Sequence, residues 1–184
     1  AYRVDGAGRV DVTQVLHLVD GLPDLPEFGM LLAVDPDLDR LRWYGDGPEE
    51  TYVDRRGGAR VDVYERDVTK ELTPYLRPQE AGSRTGVRWA EVTDRRGTGL
   101  RLECAADAAS GAAGMEFSAL PWTPYEIENA EHHTELPPIH RTILRPALMR
   151  RGVGGDDSWG ARTLPVYRLP RTGDLTFRFS FQGI

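Results

Sequence analysis

Residues Leu175-Thr-Phe-Arg-Phe-Ser-Phe181 alternate apolar and polar side chains without a slip, so Leu175, Phe177, Phe179 and Phe181 fall on one face. A period of two belongs to an extended strand; a helix would scatter the same four side chains around its circumference. One leucine and three phenylalanines on one face need an apolar surface to pack against, so this strand is expected to close a core. Shorter stretches repeat the pattern. Val10 to Val19 reads as a half-buried strand with one phase shift and a bulge. Phe28 to Val34 reads as a buried strand, turned by Asp35-Pro36-Asp37 into a return along Leu38 to Tyr44. Val61 to Tyr64, Thr85 to Val92, Met115 to Leu120, Thr142 to Leu148 and Leu164 to Leu169 are further strands. Asp5-Gly-Ala-Gly8 and Asp94-Arg-Arg-Gly-Thr-Gly99 are hairpin turns, the second leading into Leu100 to Ala105, and Ala105 to Gly114 is a small-residue linker.

One helix is signalled. Thr123 is a cap residue, Pro124 suits the first helical position, and Glu126 stands three after the cap. The helix should run about two turns, through about residue 130, and stop before Pro137. Roughly eleven short strands and one short helix predict an all-β, antiparallel sandwich. The 184 residues suit one domain, and 40% hydrophobic residues suffice for its core. A net charge of -6 argues against a nucleic-acid partner. The single cysteine, Cys104, is read as a small buried apolar group and excludes both an internal disulfide and a cysteine zinc cluster. No apolar run approaches the ~20 residues of a membrane-spanning helix, so no membrane partner is expected. Ala1 to Asp5 has no signal-peptide pattern and reads as the middle of a strand. There is no internal repeat, phosphate-cradling loop or serine nucleophile elbow.

Gly152-Val-Gly-Gly-Asp-Asp-Ser-Trp-Gly160 has no continuous apolar face, yet an indole stands near its end. Glycine permits tight backbone paths, and Asp and Ser close turns with their own side chains. One reading is a connector whose Trp159 packs back on the sheet, since Trp is usually mostly buried. The other is a self-bonded loop presenting Trp159 outward. A presented indole beside carboxylates suits a sugar, offering a stacking face and hydroxyl acceptors. Elsewhere, the turn-rich stretch from Trp43 to Arg55 is expected to be pinned by Tyr52 and an Asp54–Arg55-type charge network. Glu80 is expected to be structural, partnered by Arg77, Arg84 or backbone amides, and not to face an open pocket with a second carboxylate. His17, His132, His133 and His140 have no recognised ligand spacing, so no metal site is expected.

Four segments together resemble the C-terminal domain of large, multidomain β-galactosidases of the lacZ type. They are Tyr44-Gly-Asp-Gly-Pro-Glu-Glu-Thr-Tyr-Val-Asp-Arg55; Thr73-Pro-Tyr-Leu-Arg-Pro-Gln-Glu80 with Gly82, Arg84, Arg88 and Trp89; Pro124-Tyr125 through His132, Glu135 and Leu136; and the Gly152–Gly160 loop. They occur in the family's order and cover most of the chain from about residue 40 onward. Two positions depart from the family pattern. Ala81 stands where Asn is usual, and Ala147 where some members have Asp.

The resemblance implies an antiparallel β-supersandwich similar to galactose mutarotase. Residues 1–184 would be the later part of the C-terminal domain, with the catalytic barrel absent from the chain. It implies a parent enzyme that hydrolyses terminal β-galactosides such as lactose with retention, using two carboxyl groups about 5–5.5 Å apart in a TIM barrel. No catalytic residue is then expected in this chain, nor hydrolysis by it alone, and the family's Mg²⁺ and Na⁺ would sit in the absent barrel. Trp159 would touch the sugar on the aglycone side, with Gly154, Gly155, Asp156, Asp157 and Ser158 supporting its loop. The partners implied are the β-galactoside and the rest of the parent chain. Family members are often oligomers, which leaves a homo-oligomer open, and a cytoplasmic location is expected. Two alternatives stay open: an independent carbohydrate-binding module, and a mutarotase-like epimerase using Glu80 and a histidine.

Overall fold

The structure is a computed structural model describing residues 1–104, 114–157 and 159–184. Residues 105–113 of the expected linker, and Ser158, lie outside the described residues. Two antiparallel sheets make up the fold. The larger has seven strands in the spatial order β1 (Tyr2–Val4), β2 (Val10–His17), β12 (Asp174–Gly183), β9 (Gly99–Glu103), β8 (Trp89–Thr93), β5 (Arg40–Gly47) and β6 (Arg60–Asp67). The smaller runs β3 (Glu27–Gly29), β11 (Thr142–Arg150), β10 (Met115–Leu120) and β7 (Arg84–Val87), with β4 (Leu32–Val34) also paired to β11. The helix α1 spans Pro124–Asn129 and carries the full capping box between Thr123 and Glu126. No helix among the described residues is long and apolar enough to cross a membrane.

The apolar face of β12 does what its period predicts. Leu175, Phe177 and Phe179 are buried, and the Phe177 and Phe179 rings stack with centroids 4.9 Å apart. Leu41, Trp43, Val92, Leu102 and Val12 join them from the larger sheet, and Met115, Phe117, Ala119 and Leu144 face them from the smaller. The hairpin at Asp94 is also as expected: Asp94 Oδ1 accepts from Arg96 N and Thr98 N, and Gly97 takes φ 85°.

Four expectations need correction. The stretch Thr85 to Val92 is two strands in different sheets, β7 in the smaller and β8 in the larger, which the chain joins at Arg88. The strand expected to reach Val19 ends at His17 and pairs with β12 without a bulge, in unbroken register from Val10↔Phe181 to His17↔Asp174. Its phase shift puts Val15 on the exposed face instead. The run Phe28 to Val34 is two short strands rather than one. β11 shifts register between Ala147 and Met149, and β3 passes so close that a Cβ on Gly29 would lie 2.5 Å from the Pro146 carbonyl oxygen. Leu164 to Leu169 is not a strand. Pro165 has no N–H to give a ladder, and Tyr167 N closes a 3₁₀ turn on Leu164 O at 2.9 Å.

On β10, Met115, Phe117 and Ala119 point to the core, so Glu116 and Ser118 point to the opposite face, where they stand across from Ala147 and Arg145 of β11. That outer face is polar and still buried, because connecting segments carrying Glu80 and Ser83 bond across it. The fold therefore places an ionic layer on the smaller sheet, on the side away from the apolar core.

Candidate functional site

The loop between β11 and the Pro165 turn is tied at several points. Gly152 N donates to Tyr167 O and Thr163 Oγ1 donates to Gly152 O, both at 2.8 Å. Asp157 Oδ1 accepts from Trp159 N at 2.7 Å and from Ala161 N at 3.3 Å, closing the tip on itself. Gly154 N donates to Asp54 Oδ2 at 2.7 Å, a bond that spans a hundred residues of sequence. The glycines are required by packing. A Cβ on Gly152 would collide with the Asp54 carboxylate, and one on Gly155 would lie 2.5 Å from Ala161 O. Asp156 is exposed and has no hydrogen bond among the described residues. Trp159 is 91% exposed at the tip of this tied loop. Of the two sequence readings, the outward-facing indole is the one observed.

Beside the arms of the loop lies a cavity of about 1010 Å³, lined by Gly152, Val153, Ala161 and Arg162 from the loop itself. Its floor is an ion lattice. Arg145 Nη1 donates to Glu80 Oε2 at 3.0 Å, Arg145 Nη2 to Glu27 Oε2 at 2.7 Å, and Arg150 Nε to the same Glu27 oxygen at 2.8 Å. Tyr52 Oη donates to Glu80 Oε1 at 3.2 Å. Burial works to raise the Glu27 carboxyl, but the charges of Arg150 and Arg145 outweigh it and hold it below the usual carboxylate range. Burial and the Glu80 charge push the Tyr52 phenol up. Beneath them Glu116 is pushed up to about 7 by burial, with Glu27 and Glu80 adding to the effect against Arg150.

Glu80 is thus ion-paired as expected, but with the wrong residues in the sequence reading. Its partner is Arg145 from β11, not Arg77 or Arg84. Arg84 is drawn instead to buried Glu71 at 2.8 Å. The expectation that Glu80 avoids an open pocket with a second carboxylate is overturned: Glu27 and Glu128 line the same cavity. The pairing joins residues 65 positions apart, which local spacing cannot show. No histidine lines the cavity; His132 pairs with Glu135, and His133 Nε2 donates to Tyr75 O. Among the described residues, no group of three or more His, Cys, Asp or Glu side chains is placed to hold a metal ion.

The four sequence segments converge here. Tyr52 and Arg55 of the first bond to Glu80 and Tyr75 of the second, His133 of the third bonds to Tyr75, and Asp54 of the first holds the loop. A family model described as β-galactosidase small chain matches residues 1–182. The chain belongs to the β-galactosidase small-chain family. It is similar to the β-galactosidase of Priestia megaterium, 38% identical over 183 residues, which cover 100% of this chain and 17% of that protein. It is 41% identical over 183 residues to the β-galactosidase of Streptococcus thermophilus, again 17% of that protein. With the β-galactosidase small subunit of Latilactobacillus sakei it shares 35% identity over 190 residues, covering 97% of this chain and 57% of that protein. The chain therefore spans a minor part of the first two relatives and more than half of the third.

Proposed function

We propose that this chain is the non-catalytic, aglycone-side component of a β-galactosidase, and that Trp159 is the residue it presents to the sugar. The observation that carries this reading is the nine-tenths exposed indole on a loop tied at both arms and at its tip. An exposed Trp normally loses the stabilisation of burial. Here the backbone is held to keep it outside, which suits stacking on a saccharide ring brought by another part of the parent protein. Asp157 and Asp54 then act as loop supports, their carboxylates occupied by backbone N–H groups.

The cavity chemistry supports a non-catalytic role. A retaining glycosidase needs one carboxyl kept protonated as the acid beside an ionised nucleophile. Glu27 and Glu80 share the guanidinium of Arg145, and with Arg150 it holds the Glu27 carboxyl low. In this reading the two catalytic carboxylates, with the Mg²⁺ and Na⁺ of the resemblance, lie in the barrel of the parent. The parent substrate is a terminal β-galactoside such as lactose, cleaved with retention. An epimerase reading has no histidine in the cavity to work with.

The test is Trp159→Ala in the complete protein. Expected is a fall in kcat/KM for lactose of about five- to a hundred-and-fortyfold, the loss of one stacking contact of about 1–3 kcal/mol. A galactoside with a good leaving group and a small aglycone should change much less. Unchanged lactose kinetics would sink the proposal.

A further inference from the structure

Six arginines line the cavity beside the loop against four carboxylates, in a chain whose net charge is -6. Four of the six are occupied. Arg145 and Arg150 hold Glu27 and Glu80, and Arg168 and Arg171 close on Asp24. Arg151 and Arg162 are exposed and join no ion pair or side-chain hydrogen bond among the described residues. They flank the Trp159 loop, one just before Gly152 and the other just after Ala161. The excess charge of the wall is therefore positive, and it sits where the loop meets the rest of the fold. Apolar side chains adjoin it. Val153 lines the cavity and is exposed; Leu164 and Val166 are also exposed, Val166 at 77%. The turn that carries Leu164 and Val166 is tied to the loop by the bond from Gly152 N to Tyr167 O. Exposed apolar groups interleaved with arginine beside an indole have the composition of a protein interface, where Trp and Arg carry much of the binding energy. A small inorganic anion would use the arginines but leave these apolar groups in water, and it would fill little of a cavity of about 1010 Å³.

We propose that this arginine-rich cavity and the apolar turn beside it dock an acidic segment of the parent β-galactosidase outside residues 1–184, whose carboxylates pair with Arg151 and Arg162. The proposal rests on the reading that another part of the parent brings the sugar to Trp159. Carboxylate and guanidinium form strong, directional pairs, so the docked segment fixes the orientation of the loop as well as its position. Both arms of that loop line the cavity, which makes the segment a support for the indole from outside the domain.

The experiment places the photoreactive amino acid p-benzoylphenylalanine at Val153 in the complete protein and identifies the crosslinked peptide by mass spectrometry. A peptide outside residues 1–184 with an excess of Asp and Glu is expected. Crosslinks confined to residues 1–184, or to a segment with no such excess, overturn the proposal. Arg151→Glu combined with Arg162→Glu turns attraction into repulsion and should cut the crosslink yield about tenfold; an unchanged yield overturns the pairing. Neither side chain has a partner among the described residues, so the thermal midpoint should hold. Where the probe at Val153 blocks assembly, the same probe at Val166 should reach the same segment. Trp159→Ala separates the two readings. It should lower kcat/KM for lactose and leave the crosslink in place. Unchanged kinetics with the crosslink kept would sink the aglycone role and leave the docking standing, and weakened kinetics with no crosslink to an acidic segment would do the reverse.

Discussion

Glu116 stands on β10 with its carboxyl turned away from the apolar core, yet it is only 7% exposed. Burial raises it from 4.5 to about 7, so the folded protein binds this proton more tightly than the unfolded chain does. The sign follows directly. The stability that the neutral form provides is fully present below about pH 4.5 and is lost as pH rises through about 7. The loss amounts to roughly 3 kcal/mol at full ionisation, at 1.36 kcal/mol per unit. Urea midpoints taken from about pH 5 to about pH 8 should fall in the parent chain and stay flatter in Glu116→Gln. Equal slopes would mean that Glu116 ionises freely in the fold. Glu27 acts in the opposite direction. Held low by Arg150 and Arg145, it stabilises above the ordinary carboxylate range and gives that up only as pH falls through its lowered value.

At the scale of the element, the loop carrying Trp159 depends on a residue far away in sequence. Removing the Asp54 carboxylate leaves Gly154 N without its acceptor and empties the space against which Gly152 packs. On the proposed aglycone-side role, Asp54→Ala in the complete protein should therefore raise KM for lactose severalfold, in proportion to about 1 kcal/mol for one hydrogen bond. Cleavage of a galactoside with a small aglycone should be unaffected. Gly152→Ala, which drives a methyl into the same carboxylate, should act in the same direction; an unchanged KM in both would show that the loop is positioned by other contacts. This bond also shows where sequence reading ends. The Asp94 hairpin, the capped helix and β12 were legible because their signals lie within a few neighbouring residues. The exposure of Trp159 was one of two readings that the loop's composition left open, and the family resemblance, not the spacing, pointed to it. Asp54 and Arg145 were not legible as site residues, because their partners are separated from them by 100 and 65 positions and only the paired sheets bring them together. Leu164 to Leu169 failed for another reason: its apolar content resembles a strand, but Pro165 and a local 3₁₀ bond use the backbone first.

The whole molecule is held by one apolar layer between the sheets, and by one strand more than the others. Phe177 is fully buried in that layer and stacked on Phe179. Phe177→Ala should cost about 3–5 kcal/mol, read as a lowered urea midpoint with little change in slope. A loss below about 1 kcal/mol would mean that the two sheets close over the gap.

β12 lies between β2 and β9, pairing with the first over eight residues and the second over four. Those neighbours are far apart in sequence, and they do not pair with each other; β12 stands between them. On the ribosome, then, a nascent chain can make its hairpins early but holds two open strand edges until residues 174–183 emerge. The larger sheet assembles last at its middle, so the interval just before that moment is when the chain most needs shielding from its own copies.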